Sequence, residues 1–252
     1  MADPAVLATE GLSKSFGALK VARDVSIALP RGCRHALIGP NGAGKTTLLN
    51  LITGALKPDS GRIVLDGEDV TSVPIAARVR KGLVRTFQIN TLFPELTPLE
   101  SVTLAVCERE RLTGQLWRAL AAQKDAIDEA FAVLTQLRLA DVATRPTRTL
   151  AYGQQRLLEI ALALATRPKV LLLDEPAAGV PKDESAMLFS VIAGLPEDIS
   201  VLFIEHDMNL VFSFASHIIV LVAGGVLTAA SPDEIRSDSR VRDVYLGHSA
   251  HV

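Results

Sequence analysis

Cysteine is nearly missing: Cys33 and Cys107 are the only two in 252 residues. They lie far apart without metal-ligand spacing. Neither a disulfide framework nor a thiolate metal site is expected, and both read as apolar fillers in a reducing compartment. Net charge is equally sparse. Lys and Arg total 26 against 28 Asp and Glu, a formal −2. No basic stripe gathers the positive part, so no global field favours nucleic acid or acidic lipid. A long hydrophobic run is absent too. The longest apolar stretch, Ile218 to Ala230, is broken by Gly224-Gly225. It is too short to cross a bilayer and reads as two strands joined by a hairpin turn. The first residues, Met-Ala-Asp-Pro, lack the basic-then-apolar profile of a signal peptide. There is no internal repeat and no low-complexity tract. These absences point to a soluble cytoplasmic chain, long enough for one large α/β domain or two small ones. They leave attachment to a membrane protein open.

What is present is specific. Gly39 to Thr46 read Gly-Pro-Asn-Gly-Ala-Gly-Lys-Thr, fitting the phosphate-binding loop G-x-x-x-x-G-K-[ST] at every fixed position. Small residues such as Gly42 and Gly44 let successive backbone N–H groups curl around phosphates. Lys45 supplies a point charge for the outer phosphates, and the Thr46 hydroxyl can ligate Mg²⁺. With Asn41 and Thr47 these are the loop's candidate nucleotide contacts. Arg34 to Ile38 reads as a buried strand before the loop, and Thr46 to Thr53 as a helix after it, ending at Gly54. Strand, glycine-rich loop and helix is the context that gives this motif its meaning, because the helix N-terminus adds its positive dipole end.

Along the rest of the chain the periodicity changes twice. Val25–Leu29 and Arg62–Leu65 are strand candidates, with Asp66-Gly67 a hairpin-type turn. From about residue 90 to 149 the spacing is helical, as in Ser101–Arg109 and Ala126–Leu137. The last third returns to alternation: strands at Val170–Leu173, Val201–Ile204 and Ile218–Val222, and a helix at Lys182–Ala193. Near-continuous apolar strands between helices suggest a parallel sheet covered on both faces. Ser231-Pro-Asp-Glu234 carries the marks of a capped helix start.

A second constellation follows from that sheet. Val170 to Glu175 is an apolar strand ending in two acids, at the edge where ligands bind in parallel sheets. Asp174 is placed to hold Mg²⁺, and Glu175 to polarise a water in line with a γ-phosphate. His206 follows another apolar strand, where it can donate to the γ-phosphate and distinguish ATP from ADP. Gln88, after the strand-like Leu83–Phe87, can reach Mg²⁺ or the water. Leu150 to Arg156 precedes a helical stretch, Arg156 to Ala165, and Gly153 just ahead of it leaves N–H groups outward as a second anion site. Two phosphate-binding devices with one acidic strand make sense if two chains pair head-to-tail.

In order and spacing these motifs resemble the ATP-binding-cassette (ABC) ATPases over essentially the whole chain. The resemblance implies an α/β fold of the P-loop NTPase type. It would have a mostly parallel core sheet, an N-terminal antiparallel β subdomain and a helical insertion. Residues 1–89 and 150–252 would form the core with the β subdomain, and about 90–149 the helical part. It implies that Phe16 stacks on adenine, Gln88 couples the site to a membrane subunit and binds the metal with Thr46 and Asp174, Glu175 is the base, and His206 the switch. It implies ATP and Mg²⁺ sandwiched between two subunits, with Ala151, Gly153 and Gln154 of one covering the loop of the other. Two permease subunits and, indirectly, a periplasmic or extracellular solute-binding protein would be the partners, at the cytoplasmic face of the membrane.

Leu-Ala-Tyr-Gly-Gln-Gln-Arg, Asp-Glu-Pro-Ala-Ala-Gly, Ile-Glu-His-Asp-Met and Val244-Tyr-Leu-Gly247 resemble the ATPase subunit of branched-chain or hydrophobic amino-acid importers. Urea, amide or lipid systems share much of this wording.

Two motifs depart from the pattern. Ala151 stands where the family signature has a serine, and Tyr152 where it has glycine. Losing that hydroxyl removes a charge-assisted hydrogen bond of about 1.5–3 kcal/mol. Pro181 replaces an Asp or Asn, and offers neither a side-chain hydrogen bond nor an N–H. Both departures fit a slow-turnover regulatory binder as a second reading. Leu92, Phe93 and Leu96 fit a permease contact, and with Pro94 and Pro98 beside them a rigid surface loop equally well. Trp117 reads as core.

Overall fold

The computed structural model describes residues 5–86, 92–111 and 123–246. Chain order begins with β1 (Ala5–Phe16), β2 (Leu19–Pro30), β3 (Arg34–Ile38), α1 (Lys45–Thr53), β4 (Ser60–Leu65) and β5 (Glu68–Asp69). It continues with α2 (Ile75–Arg80), β6 (Leu83–Arg85), α3 (Pro98–Arg109), α4 (Lys124–Gln136), α5 (Tyr152–Leu164) and β7 (Val170–Asp174). It closes with α6 (Lys182–Ala193), β8 (Ser200–Ile204), α7 (Met208–Phe214), β9 (His217–Val222), β10 (Gly225–Ala230), α8 (Pro232–Ser237) and α9 (Ser239–Leu246).

The strands form two sheets. β2-β1-β4-β5 is antiparallel throughout. β10-β9-β3-β8-β7-β6 is parallel from β9 to β6, with β10 antiparallel at one edge. The strand order brings β3, β8 and β7 side by side, so the three candidate segments that follow them emerge at one edge. Every residue of β7 and β8 is buried, as expected of parallel strands covered on both faces. Each buried Leu, Val or Ile there contributes roughly 1.5–3 kcal/mol of apolar transfer.

Two apolar clusters flank the larger sheet. One lies between it and the antiparallel sheet and includes Leu48, Leu49, Leu51 and Ile52 of α1. The other joins α3, α4, α5 and α6 to the opposite face, through Val102, Leu134, Leu158 and Phe189. The helical segment thus packs onto the same sheet that carries the acids.

Local chemistry fixes the boundaries. Asp66 and Gly67 both have positive φ, 52° and 81°, which suits a two-residue hairpin turn. Gly54 ends α1 in the left-handed region, φ 83°. Ser231 and Glu234 form the expected capping box, and Thr97 with Glu100 forms another that starts α3 three residues ahead of the expected helix. Four further elements differ from expectation. β1 is a full strand although Gly11 interrupts its pattern, because register shifts absorb the interruption between Thr9 and Leu12. α5 begins at Tyr152, four residues before the expected Arg156, so Gly153 lies inside the first turn rather than ahead of it. α2 and α7, six and seven residues long, are too short for a helical period to stand out. Gln88 and Trp117 lie outside the described residues.

Arg78 ties the α2 segment to α1. It is 2% exposed, and its guanidinium donates to the carbonyls of Leu51, Ile52, Thr71 and Val73. The last carbonyls of α1, which lack helical partners, are thereby satisfied. Cys33 and Cys107 are buried free thiols, and burial pushes Cys33 up to about 11.

Candidate functional site

The glycine-rich loop turns directly out of β3. Gly44 is the residue before α1 and adopts φ 101°; a Cβ there would sit 2.6 Å from the Val21 carbonyl oxygen. Only glycine meets both demands. Gly44 gives no side-chain cap, so the N–H groups of the first turn of α1 have no partner from that residue. Lys45 opens α1 and is 8% exposed; its Nζ donates to the carbonyl oxygens of Gly39, at 2.7 Å, and Pro40, at 3.2 Å. Burial lowers the Lys45 pKa, against the opposing pull of Glu175 and Asp174. An ammonium is thus held within the loop and in the field of both acids. Thr46 and Thr47 follow on the same helix start.

Phe16 ends β1 at the tip of the β1–β2 hairpin, paired with Leu19. Its ring is 53% exposed and Lys14 Nζ stands 5.8 Å from its centroid. The close approach of Val21 to Gly44 sets this hairpin against the loop. A ring left open to solvent beside a phosphate cradle is available for stacking.

Asp174, at the end of β7, is 4% exposed. Its Oδ2 pairs with Arg85 of β6 at 2.5 Å, and Arg85 also donates to Asn50 Oδ1 of α1 at 2.6 Å. The other oxygen, Oδ1, is buried without a hydrogen-bond partner. An orphaned carboxylate oxygen at the carboxyl edge, with a threonine hydroxyl on the loop, is an oxygen donor set of the kind Mg²⁺ takes. The chain's own residues therefore fit the metal as partial ligands, the remainder being left to water and phosphate. Among the described residues no cluster of three or more His, Cys, Asp or Glu side chains could hold a metal alone.

Glu175 follows with φ 50°, left-handed for a residue with a side chain. Its N–H donates to Ile204 O at 3.1 Å, and its Oε1 lies 2.9 Å from His206 Nε2. Glu205 lies between the end of β8 and His206, is 6% exposed, and accepts from Ala177 N–H at 2.9 Å and His206 N–H at 3.2 Å. Burial raises the Glu205 pKa, and those two donors oppose the rise.

The structure thus brings Lys45, Asp174, Glu175 and His206 to one sheet edge, and adds Arg85, Asn50 and Glu205. Sequence reasoning missed those three. Arg85 lies 89 residues from Asp174, and Glu205 lies 28 from Ala177. Only an acid closing an apolar strand hinted at Glu205.

Ala151 to Gln154 stand elsewhere. No hydrogen bond or ion pair among the described residues joins them to Gly39–Thr46. Ala151 precedes α5 with no side-chain acceptor, while Gln154 Oε1 accepts its N–H at 3.1 Å. The Tyr152 hydroxyl accepts from Arg156 at 2.6 Å, and its ring packs on Gly179. The Glu184 carboxylate closes on Gly153: a Cβ there would lie 2.5 Å from Oε2. Pro181 precedes α6 without a side-chain cap.

Comparison with known proteins places this geometry. Residues 22–178 match the family model described as ABC transporter. The chain is 40% identical to the high-affinity branched-chain amino acid transport ATP-binding protein BraF of Pseudomonas aeruginosa, over 97% of this chain and 98% of that one. It is 39% identical to the protein LivG of Escherichia coli (strain K12), described in the same words, over 99% of this chain and 100% of that one. Among solved structures, the ADP conformation of an ATP-binding cassette of an ABC transporter superposes with a TM-score of 0.84 at 34% identity, covering 96% and 99% of the two chains. A nucleotide-free ATP-binding cassette gives 0.83 at 32%, covering 96% and 98%.

Proposed function

The chain belongs to the ABC transporter family as one of its ATPases, and from that premise we propose that it powers an importer of branched-chain or other hydrophobic amino acids. The substrate class follows the names of the relatives matched over nearly the whole chain. We propose that it works at the cytoplasmic face of the membrane, held there by two permease subunits, with a solute-binding protein delivering cargo from the other side. No helix among the described residues is long and apolar enough to cross a membrane, so attachment would come through those subunits.

One observation carries the chemistry: Glu175 Oε1 and His206 Nε2, 2.9 Å apart, share a sheet edge with Lys45 and Asp174. In this reading Phe16 stacks on adenine. The loop N–H groups and Lys45 hold the phosphates. Thr46, Asp174 and, beyond the described residues, Gln88 would hold Mg²⁺. When bound, the ion neutralises charge on the β- and γ-phosphates. Glu175 orients a water and takes its proton as the water oxygen bonds to the γ-phosphorus. The bond to the bridging oxygen breaks, giving ADP and phosphate. His206 orients Glu175 and reports the γ-phosphate.

Ala151, Gly153 and Gln154 would cover the loop of a second ATPase subunit, either another copy or a paralogue. Glu175→Gln removes the base, and turnover should fall at least a hundredfold while ATP still binds. Disruption of the gene should abolish uptake of labelled leucine, isoleucine and valine. Uptake unchanged, with loss of urea, amide or lipid import instead, would overturn the substrate assignment. Wild-type hydrolysis in Glu175→Gln would overturn the base.

A further inference from the structure

Glu205 is an acid where a buried strand end needs none. Removing a carboxylate from water is costly unless donors compensate it, and here two do. Oε1 accepts from Ala177, two residues beyond Glu175 on the loop leaving β7. Oε2 accepts from the backbone of His206. Glu175 N–H holds Ile204 O, and Glu175 Oε1 meets His206 Nε2. These four contacts close a ring across two adjacent strand ends, passing through Glu175, Ala177, Glu205 and His206.

The ring encloses the left-handed backbone of Glu175, φ 50°. Such a conformation persists where the surroundings over-determine it. Three of the four contacts fix main-chain atoms. The fourth is the side-chain pair whose geometry the reaction uses.

We propose that Glu205 is a positioning residue for hydrolysis. Its carboxylate anchors both the loop after β7 and the backbone under His206, and so holds Glu175 against the imidazole. The inference rests on Glu175 acting as the base. Glu205 itself is too deeply buried to meet ATP, and it acts through its neighbours.

Glu205→Gln keeps one oxygen acceptor and turns an amide NH₂ toward the other N–H. In the full chain, kcat should fall roughly tenfold, the worth of one misplaced hydrogen bond to a charged group, while KM for ATP stays within twofold. In a His206→Ala background the same substitution should change kcat less than twofold, because the pair it serves is gone. Glu205→Asp, which keeps both acceptors on a shorter arm, should recover part of the loss. It also serves in the same cycle if Glu205→Gln does not fold. An unchanged kcat, or an equal loss with and without His206, would overturn the proposal. So would a loss that follows the melting temperature across the three variants. Glu175→Gln is the separate control: if it hydrolyses ATP normally, the assignment of the base is what has failed.

Discussion

Helices α1 and α5 both open with N–H groups that no residue of their own turn satisfies, but their surroundings are opposite. At α1 a buried lysine stands in the first turn, and glycine lets the chain fold back over the helix start. At α5 the first turn has no cation, its preceding residue has no hydroxyl, and Glu184 presses a carboxylate against Gly153. The far ends differ in the same sense. Arg78, fully buried, holds the last carbonyls of α1. Arg109, with 15% of its side chain exposed, holds Ala165 just past α5 and is itself paired with Glu129. On the proposed reading the difference is a division of labour: α1 would retain an anion by itself, whereas the α5 start would act only on phosphate that another chain brings to it.

The largest expected effect breaks the strong side. Lys45→Ala should weaken ATP binding by about 10²–10³-fold, since charge-assisted contacts to two phosphates are lost; titration with a fluorescent ATP analogue reads this. Affinity within threefold of wild type would remove the contrast. Next, Arg78→Met should destabilise the fold by about 2–4 kcal/mol, because buried carbonyls lose their donor, and Arg109→Met by about 1–2. Urea denaturation compares the two, and equal costs would mean the helix ends are not differently anchored. Ala151→Ser restores a capping hydroxyl and should add about 1 kcal/mol to stability in the same assay. Smallest, Glu184→Gln removes a carboxylate beside the second anion site. ATP-dependent pairing should tighten roughly three- to tenfold, the scale of one partly exposed charge interaction. Sedimentation velocity measures that, and weaker pairing would show that Glu184 is not repulsive there.

Much of the strong side was legible in the sequence and little of the weak side. The loop's residue types and spacing are set by phosphate chemistry, so Lys45 and its helix could be read directly. Asp66-Gly67 and Ser231 with Glu234 were legible because turn and cap chemistry act over a few residues. β1 was hidden by Gly11, which the antiparallel partners absorb through register shifts. The start of α5 was misplaced because Gly153 looks like a boundary. In the fold the chain turns at Ala151, φ −59° and ψ 153°, and Tyr152 is kept helical by its contact with Arg156. Arg85 and Glu205 were out of reach because their partners are distant in sequence and meet only when β6, β7 and β8 align.

The central claim is that this chain's loop binds ATP alone, whereas its α5 start acts on nucleotide held by a partner. Gly153→Asp tests it directly by placing a negative charge at that start. ATP affinity of the isolated chain should stay within twofold, while ATP turnover of the transporter purified with its permease subunits should fall at least tenfold. A loss of affinity in the isolated chain that matches the loss of turnover, or a turnover left intact, would contradict the account.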